Sequence, residues 1–179
     1  MTTTALFAEM LVGGVEALIW VALIAISIAR PSNADAKAIL ALKDWATPVT
    51  PVLLGVAYAL GIVVDRVADS LFKVLGMAAR AEQRLEVLAR GDKVTEFLEY
   101  IRSRIRVARV TTLNLFLITI FAGVALKRCT VASTWQIVWT VATLAVLTLG
   151  ALFATLRIGR TYEKRLGQAV ALPAPERNA

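Results

Sequence analysis

Four runs of apolar residues, each close to the length of a membrane crossing, constrain this sequence more than any other feature. A helix needs about 20 mainly apolar residues to cross about 30 Å of hydrocarbon. The first run covers residues 10–29, within ALFAEMLVGGVEALIWVALIAISIA, and the second covers 45–64, around VLLGVAYALGIVV. The third, 110–126, reads VTTLNLFLITIFAGVAL, and the fourth, 134–156, reads TWQIVWTVATLAVLTLGALFATL. Composition points the same way: 58% of residues are hydrophobic and 18% charged, against about 45–50% and about 25% in soluble domains. The expected fold class is all-α, a polytopic integral membrane protein with four transmembrane helices. The second run is the weakest, because Pro48 and Pro51 interrupt its start and Asp65 closes its end.

The distribution of Lys and Arg sets the expected direction of insertion, since basic residues accumulate on the cytoplasmic side. The segment before the first run has none, and the first loop has Arg30, Lys37 and Lys43. Ten basic residues lie between spans two and three, from Arg66 to Arg109, two in the third loop and five after span four. Alternate sides therefore carry 15 and 5. Both termini and the middle connection are expected in the cytoplasm, in a cell membrane and specifically a bacterial inner membrane. Trp45, Trp135 and Trp139 then fall at the outer interface, where indoles settle. Ala34-Asp35-Ala36 imitates a signal-peptide cleavage site, but no basic segment precedes the first run and Glu9 and Glu16 interrupt it, so no cleavage is expected. The net charge of +7 fits attraction to anionic lipid at the cytoplasmic face. Nucleic acid is not an expected partner, because no aromatics interleave with the basic residues.

The connection over 67–109 carries two heptad seams. Leu71, Val74, Ala78, Ala81, Leu85 and Leu88 recur at steps of three and four, as do Val94, Leu98, Ile101, Ile105 and Ala108. Gly91 can end one helix and Asp92 can cap the next. Spans two and three are thus expected to extend into a cytoplasmic antiparallel helical hairpin, its turn at 91–92 and its register set by a Glu82–Arg102 pair. The chain then divides into a first helix pair (1–66), the hairpin (67–109), a second pair (110–157) and a basic, partly disordered tail (158–179). Arg102, Arg106 and Arg109 form one stripe at i, i+4 and i+7, suited to lipid phosphates or an acidic docking partner.

Ionisable and polar groups inside apolar spans are costly and need partners. Glu9 and Glu16 share a face of the first span, and Tyr58, Asp65 and Asp69 share a face of the second. Asn114 sits a little over one turn inside the basic stripe. These six are expected to converge in the inner half of the bundle. In a structural role, Glu16 meets Tyr58 or Asn114, Glu9 meets Arg66, and Asp69 meets Lys73 or Arg109. In a functional role, Glu16 lines a proton or cation path with Asp65 and Asp69 at its mouth. Counting outward from the 91–92 turn sets Asp69 level with Asn114 and Asp65 level with Ile118, deeper than the edge of the apolar run implies. Gly13/Ala17, Ala25/Ala29 and Gly150/Ala154 have the small-xxx-small spacing that favours close helix packing.

Catalytic chemistry is not indicated. The sequence has no His and one Cys, Cys129, which excludes histidine bases, histidine-held metals and any intrachain disulfide. It has no Gly-rich phosphate loop or nucleophile elbow. Asp65 and Asp69 lack the further acidic ligands a divalent cation needs, and Arg66 lies between them. No cofactor, metal or catalytic residue is therefore assigned. The expectation is a non-enzymatic membrane protein that self-associates and docks a cytoplasmic protein through its hairpin. The alternative is an oligomeric ion channel or membrane-permeabilising effector conducting along the polar face.

Overall fold

The computed structural model describes residues 3–29, 46–75, 92–129 and 133–171, and the regular elements among them are all α-helices. These are α1 (Thr3–Ala29), α2 (Ala46–Val74), α3 (Asp92–Cys129) and α4 (Thr134–Ala171). Each is long and apolar enough to cross a membrane, so the chain has the architecture of a multi-pass membrane protein. With 38 residues apiece, α3 and α4 are each about 57 Å long, nearly twice the hydrocarbon thickness. Their excess length falls at the same end of the bundle as Val74. That end, the basic end of the bundle, holds the Arg and Lys residues of α2, the first half of α3 and the last third of α4.

Side-chain pairs fix the helix directions. Glu16 of α1 meets Thr111 and Ser27 meets Arg128 of α3, with numbers rising together, so α1 and α3 are parallel. Thr112 and Thr119 of α3 face Thr155 and Thr148 of α4, so that pair is antiparallel. The same holds for α1 and α2, where Gly14 abuts Ala57 and Gly61 abuts Met10. Consecutive helices thus alternate in direction, as successive membrane crossings require. α1 packs against both α2 and α3, whereas α4 packs among the described residues against α3 alone.

The α1–α2 contact is built on missing side chains. A Cβ on Gly14 would overlap the Ala57 carbonyl, and one on Gly61 the Met10 carbonyl, so the two backbones touch. On α2 the buried line is Ala57, Gly61, Val64, Ala68 and Phe72, at steps of 4, 3, 4 and 4. Ala17, Val64, Ala68, Val110 and Leu113 form the shared core of the three helices. Small residues dominate because lipid is as apolar as a leucine side chain, leaving close van der Waals contact and hydrogen bonds to separate helix contacts from lipid contacts.

Several boundaries differ from the sequence reading. α2 carries both prolines: Pro48 lies in the first turn, where backbone N–H groups have no helical acceptor, and Pro51 removes one bond close to the end. α4 runs to Ala171, so residues 158–171 continue the helix, and only 172–179 of the expected tail lie outside the described residues. Its start is fixed by a capping box: Gln136 N–H donates to Ser133 Oγ at 3.3 Å and Ser133 N–H donates to Gln136 Oε1 at 2.9 Å. Of the first expected seam only Leu71 and Val74 are among the described residues; Ala78, Ala81, Leu85 and Leu88 lie outside them. Leu71 is 44% and Val74 86% exposed, and the buried positions beside them are Ala68 and Phe72. The Gly91 half of the turn, and Glu82 with its pairing to Arg102, lie outside the described residues.

Candidate functional site

α3 organises the polar interior, because among the described residues it is the one helix that touches all three others. Arg109, Arg106, Ser103, Asn114 and Thr111 follow one another around about half the circumference of α3, its polar edge. The carboxylates of α1 and α2 meet that edge in three tiers.

Deepest is Asn114, which is fully buried. Its Nδ2 donates to the Gly13 carbonyl at 2.9 Å and to Glu16 Oε2 at 3.1 Å. Its Oδ1 accepts from Trp20 Nε1 at 3.1 Å. The Thr111 hydroxyl donates to the other Glu16 oxygen, Oε1, at 3.0 Å. Both carboxylate oxygens of Glu16 thus have donors from α3. Gly13 admits the neighbouring contact, since a Cβ there would come within 2.6 Å of Val110 Cγ1.

In the middle tier, Arg106 is shared by two carboxylates. Its Nε lies 3.6 Å from Asp65 Oδ1 and its Nη1 lies 3.8 Å from Glu9 Oε2. The Ser103 hydroxyl donates to Glu9 Oε1. Glu9 Oε2 is buried and has no hydrogen-bond partner, leaving its contact with the guanidinium purely electrostatic. A cavity of about 10 Å³ lies between Glu9, Asp65, Arg106 and Thr111, the size that admits a single water. It lies between the Glu9 and Glu16 tiers.

The outermost tier is Asp69, whose Oδ1 meets Arg109 Nη1 at 3.3 Å and whose Oδ2 meets Lys73 Nζ at 2.6 Å. Arg109 also lies over the Phe72 ring, 5.6 Å from its centroid.

Of the residues singled out from sequence, Glu9, Glu16, Asp65, Asp69 and Asn114 line one polar file along α3. Tyr58 does not join it. Its ring packs on Phe7 with centroids 5.0 Å apart, because Tyr58 lies to the side of the α2 line marked by Ala57 and Gly61. Glu9 is met by Arg106 rather than by Arg66, which lies on the exposed side of α2. The aspartates sit opposite Arg106 and Arg109, not level with Asn114 and Ile118. The deeper placement, counted from the turn, is therefore replaced by one at the edge of the apolar run.

The basic stripe also changes character. Arg106 and Arg109 turn inward to the carboxylates and are 24% and 16% exposed at their side chains, while Arg102 remains exposed and is itself engaged. Sequence reasoning missed Trp20, Ser103 and Thr111. A partial signal was present, since Ser103 and Asn114 lie within about 80° of Arg106 around the helix, whereas Thr111 lies about 140° away. It also missed the paired threonines: Thr112–Thr155 at 3.0 Å and Thr119–Thr148 at 3.1 Å. Each helix places its two threonines seven residues apart, which keeps them on one face. Among the described residues no group of three His, Cys, Asp or Glu is placed to hold a metal ion. Comparison with protein-family models, curated proteins and solved structures finds no match to this chain.

Proposed function

We propose that this chain is a non-enzymatic subunit of a membrane assembly, inserted with both termini in the cytoplasm. It self-associates in the bilayer and offers the helical extensions of its basic end to a cytoplasmic partner. One observation carries this reading: Glu9, Glu16, Asp65 and Asp69 are all held by donors or cations of α3. Polar groups spent on one another act as interhelical locks, and they make a rigid platform of α1, α2 and α3. The length of α3 and α4 beyond their apolar runs supports a platform that reaches past the lipid headgroups.

Because Arg106 and Arg109 belong to the locks, docking is tested at Arg102 and Tyr100, both exposed. A photoreactive residue at position 100 should give a crosslinked product with a second protein in native membranes, and Arg102→Glu should diminish it. Adducts with lipid or with further copies of the chain alone would overturn the docking half of the reading.

Conduction is the second reading, and the row of polar groups along α3 supports it. From Ser103 to Asn114 the file rises about 16 Å along α3. Proton and cation flux through liposomes separates the two readings: flux abolished by Glu16→Gln favours conduction, and an impermeable reconstituted protein favours the scaffold.

A further inference from the structure

At the basic end a groove of about 260 Å³ is lined by residues of α2, α3 and α4. Its apolar wall is Phe72, Ile105 and Leu156, and its charged lining is Arg109, Arg160 and Glu163. The groove lies where the apolar run of α4 ends at Leu156 and its basic segment begins at Arg157. In a four-span protein that is the depth of lipid headgroups, whichever way the chain is inserted. Open sides at this level face lipid, so the groove is filled by whatever matches both its apolar wall and its charges.

Those charges are mixed. Arg109 already balances Asp69. Arg160 and Glu163 lie one helical turn apart on α4, are both exposed, and among the described residues neither is held in an ion pair. A simple anion would meet the Glu163 carboxylate as well as the guanidiniums. A headgroup with a phosphate and a primary ammonium meets neither conflict: its phosphate accepts from Arg160 and Arg109, and its ammonium donates to Glu163. We propose that this groove is a binding site for an amine-bearing phospholipid, with phosphoethanolamine as the recognised headgroup and the first methylenes of the acyl chains against Phe72, Ile105 and Leu156. The inference rests on the membrane reading of the chain, and is independent of whether the basic end docks a protein.

Gly159 lines the same groove, and a Cβ built there meets nothing within 4 Å. Gly159→Leu therefore adds bulk at the groove lining with no clash at its Cβ and no change of charge. The test reconstitutes the full chain in bilayers of equal phosphatidylethanolamine, phosphatidylglycerol and phosphatidylcholine, extracts it in mild detergent, and quantifies the lipid that stays bound. Wild type should enrich phosphatidylethanolamine over both others by about threefold, the scale of one solvent-accessible ion pair. Arg160→Gln and Gly159→Leu should each lower total retained phospholipid. Glu163→Gln should keep the total and shift the preference toward phosphatidylglycerol, an outcome that general loosening of the bundle would not give.

Equal retention of the three lipids by wild type would overturn the proposal, as would an unchanged preference in Glu163→Gln. Soluble phosphoethanolamine, added during extraction, should not displace the lipid at millimolar concentration. Displacement would assign the site to a free phosphate ligand instead. Position 100 crosslinking is scored separately, so loss of the lipid preference with the crosslink intact removes this inference alone.

Discussion

Asn114 and Arg106 show how single residues in an apolar setting become structural centres. Asn114 makes three hydrogen bonds, to Gly13, Glu16 and Trp20, all on α1. Interhelical hydrogen bonds in membranes average about 0.6 kcal/mol, because the separated helices also find partners. Asn114→Leu should therefore cost about 2 kcal/mol, and Thr111→Val, which removes one bond to Glu16, about 0.6 kcal/mol. Reversible unfolding in mixed micelles measures both; equal losses would mean that Asn114 is not the centre of the network. Arg106 neutralises two carboxylates. Arg106→Met should cost about 3 kcal/mol, the low end for breaking a buried pair, and adding Asp65→Asn should return part of it. If the double variant is no more stable than the single one, repulsion between Glu9 and Asp65 is not the cause.

Among the elements, α2 shows most directly what side-chain size decides. Its contact with α1 depends on Gly14 and Gly61, where any Cβ would meet backbone rather than a movable side chain. Gly14→Leu should separate the two helices and abolish a stable fold in detergent. Gly55→Ala, on the same helix type but with open space around it, should be neutral or stabilising by up to about 1 kcal/mol, the intrinsic helix preference of Ala over Gly. Thermal unfolding of the two variants checks this, and similar behaviour would contradict the contact. The comparison also shows why small-xxx-small spacing is a poor guide by itself. Gly13/Ala17 is buried in the core, whereas Gly150 and Ala154 lie exposed on α4; nothing in local sequence distinguishes them.

For the whole molecule, helix order and insertion are the two properties to test. α4 is tied to α3 through its threonine pairs, so cysteines at Thr119 and Thr148, in a Cys129→Ser background, should join through a short bifunctional reagent within one chain. Crosslinking only between chains would mean that α4 packs on a neighbouring copy. For direction, a cysteine replacing the exposed Arg104 should resist a membrane-impermeant maleimide in intact cells, and one replacing the exposed Trp135 should react. The reverse pattern would invert the proposed topology and move the groove to the other leaflet.

The four helices are legible locally, because span length and apolar composition are local quantities set by hydrocarbon thickness. The sequence also marked Glu9, Glu16, Asp65, Asp69 and Asn114 as groups needing partners, since the cost of a polar group in lipid does not depend on which helix answers it. Which helix answers was decided only by tertiary structure. Helical periodicity places Tyr58 near the acidic face of α2, yet the rotation that brings Gly61 onto Met10 sends its ring to Phe7. Periodicity likewise makes Arg102, Arg106 and Arg109 one outward stripe, but the parallel packing of α1 on α3 draws Arg106 to Glu9. Helix rotation and register follow from the sum of many small contacts between segments about 30 to 100 residues apart, and no local pattern contains that sum.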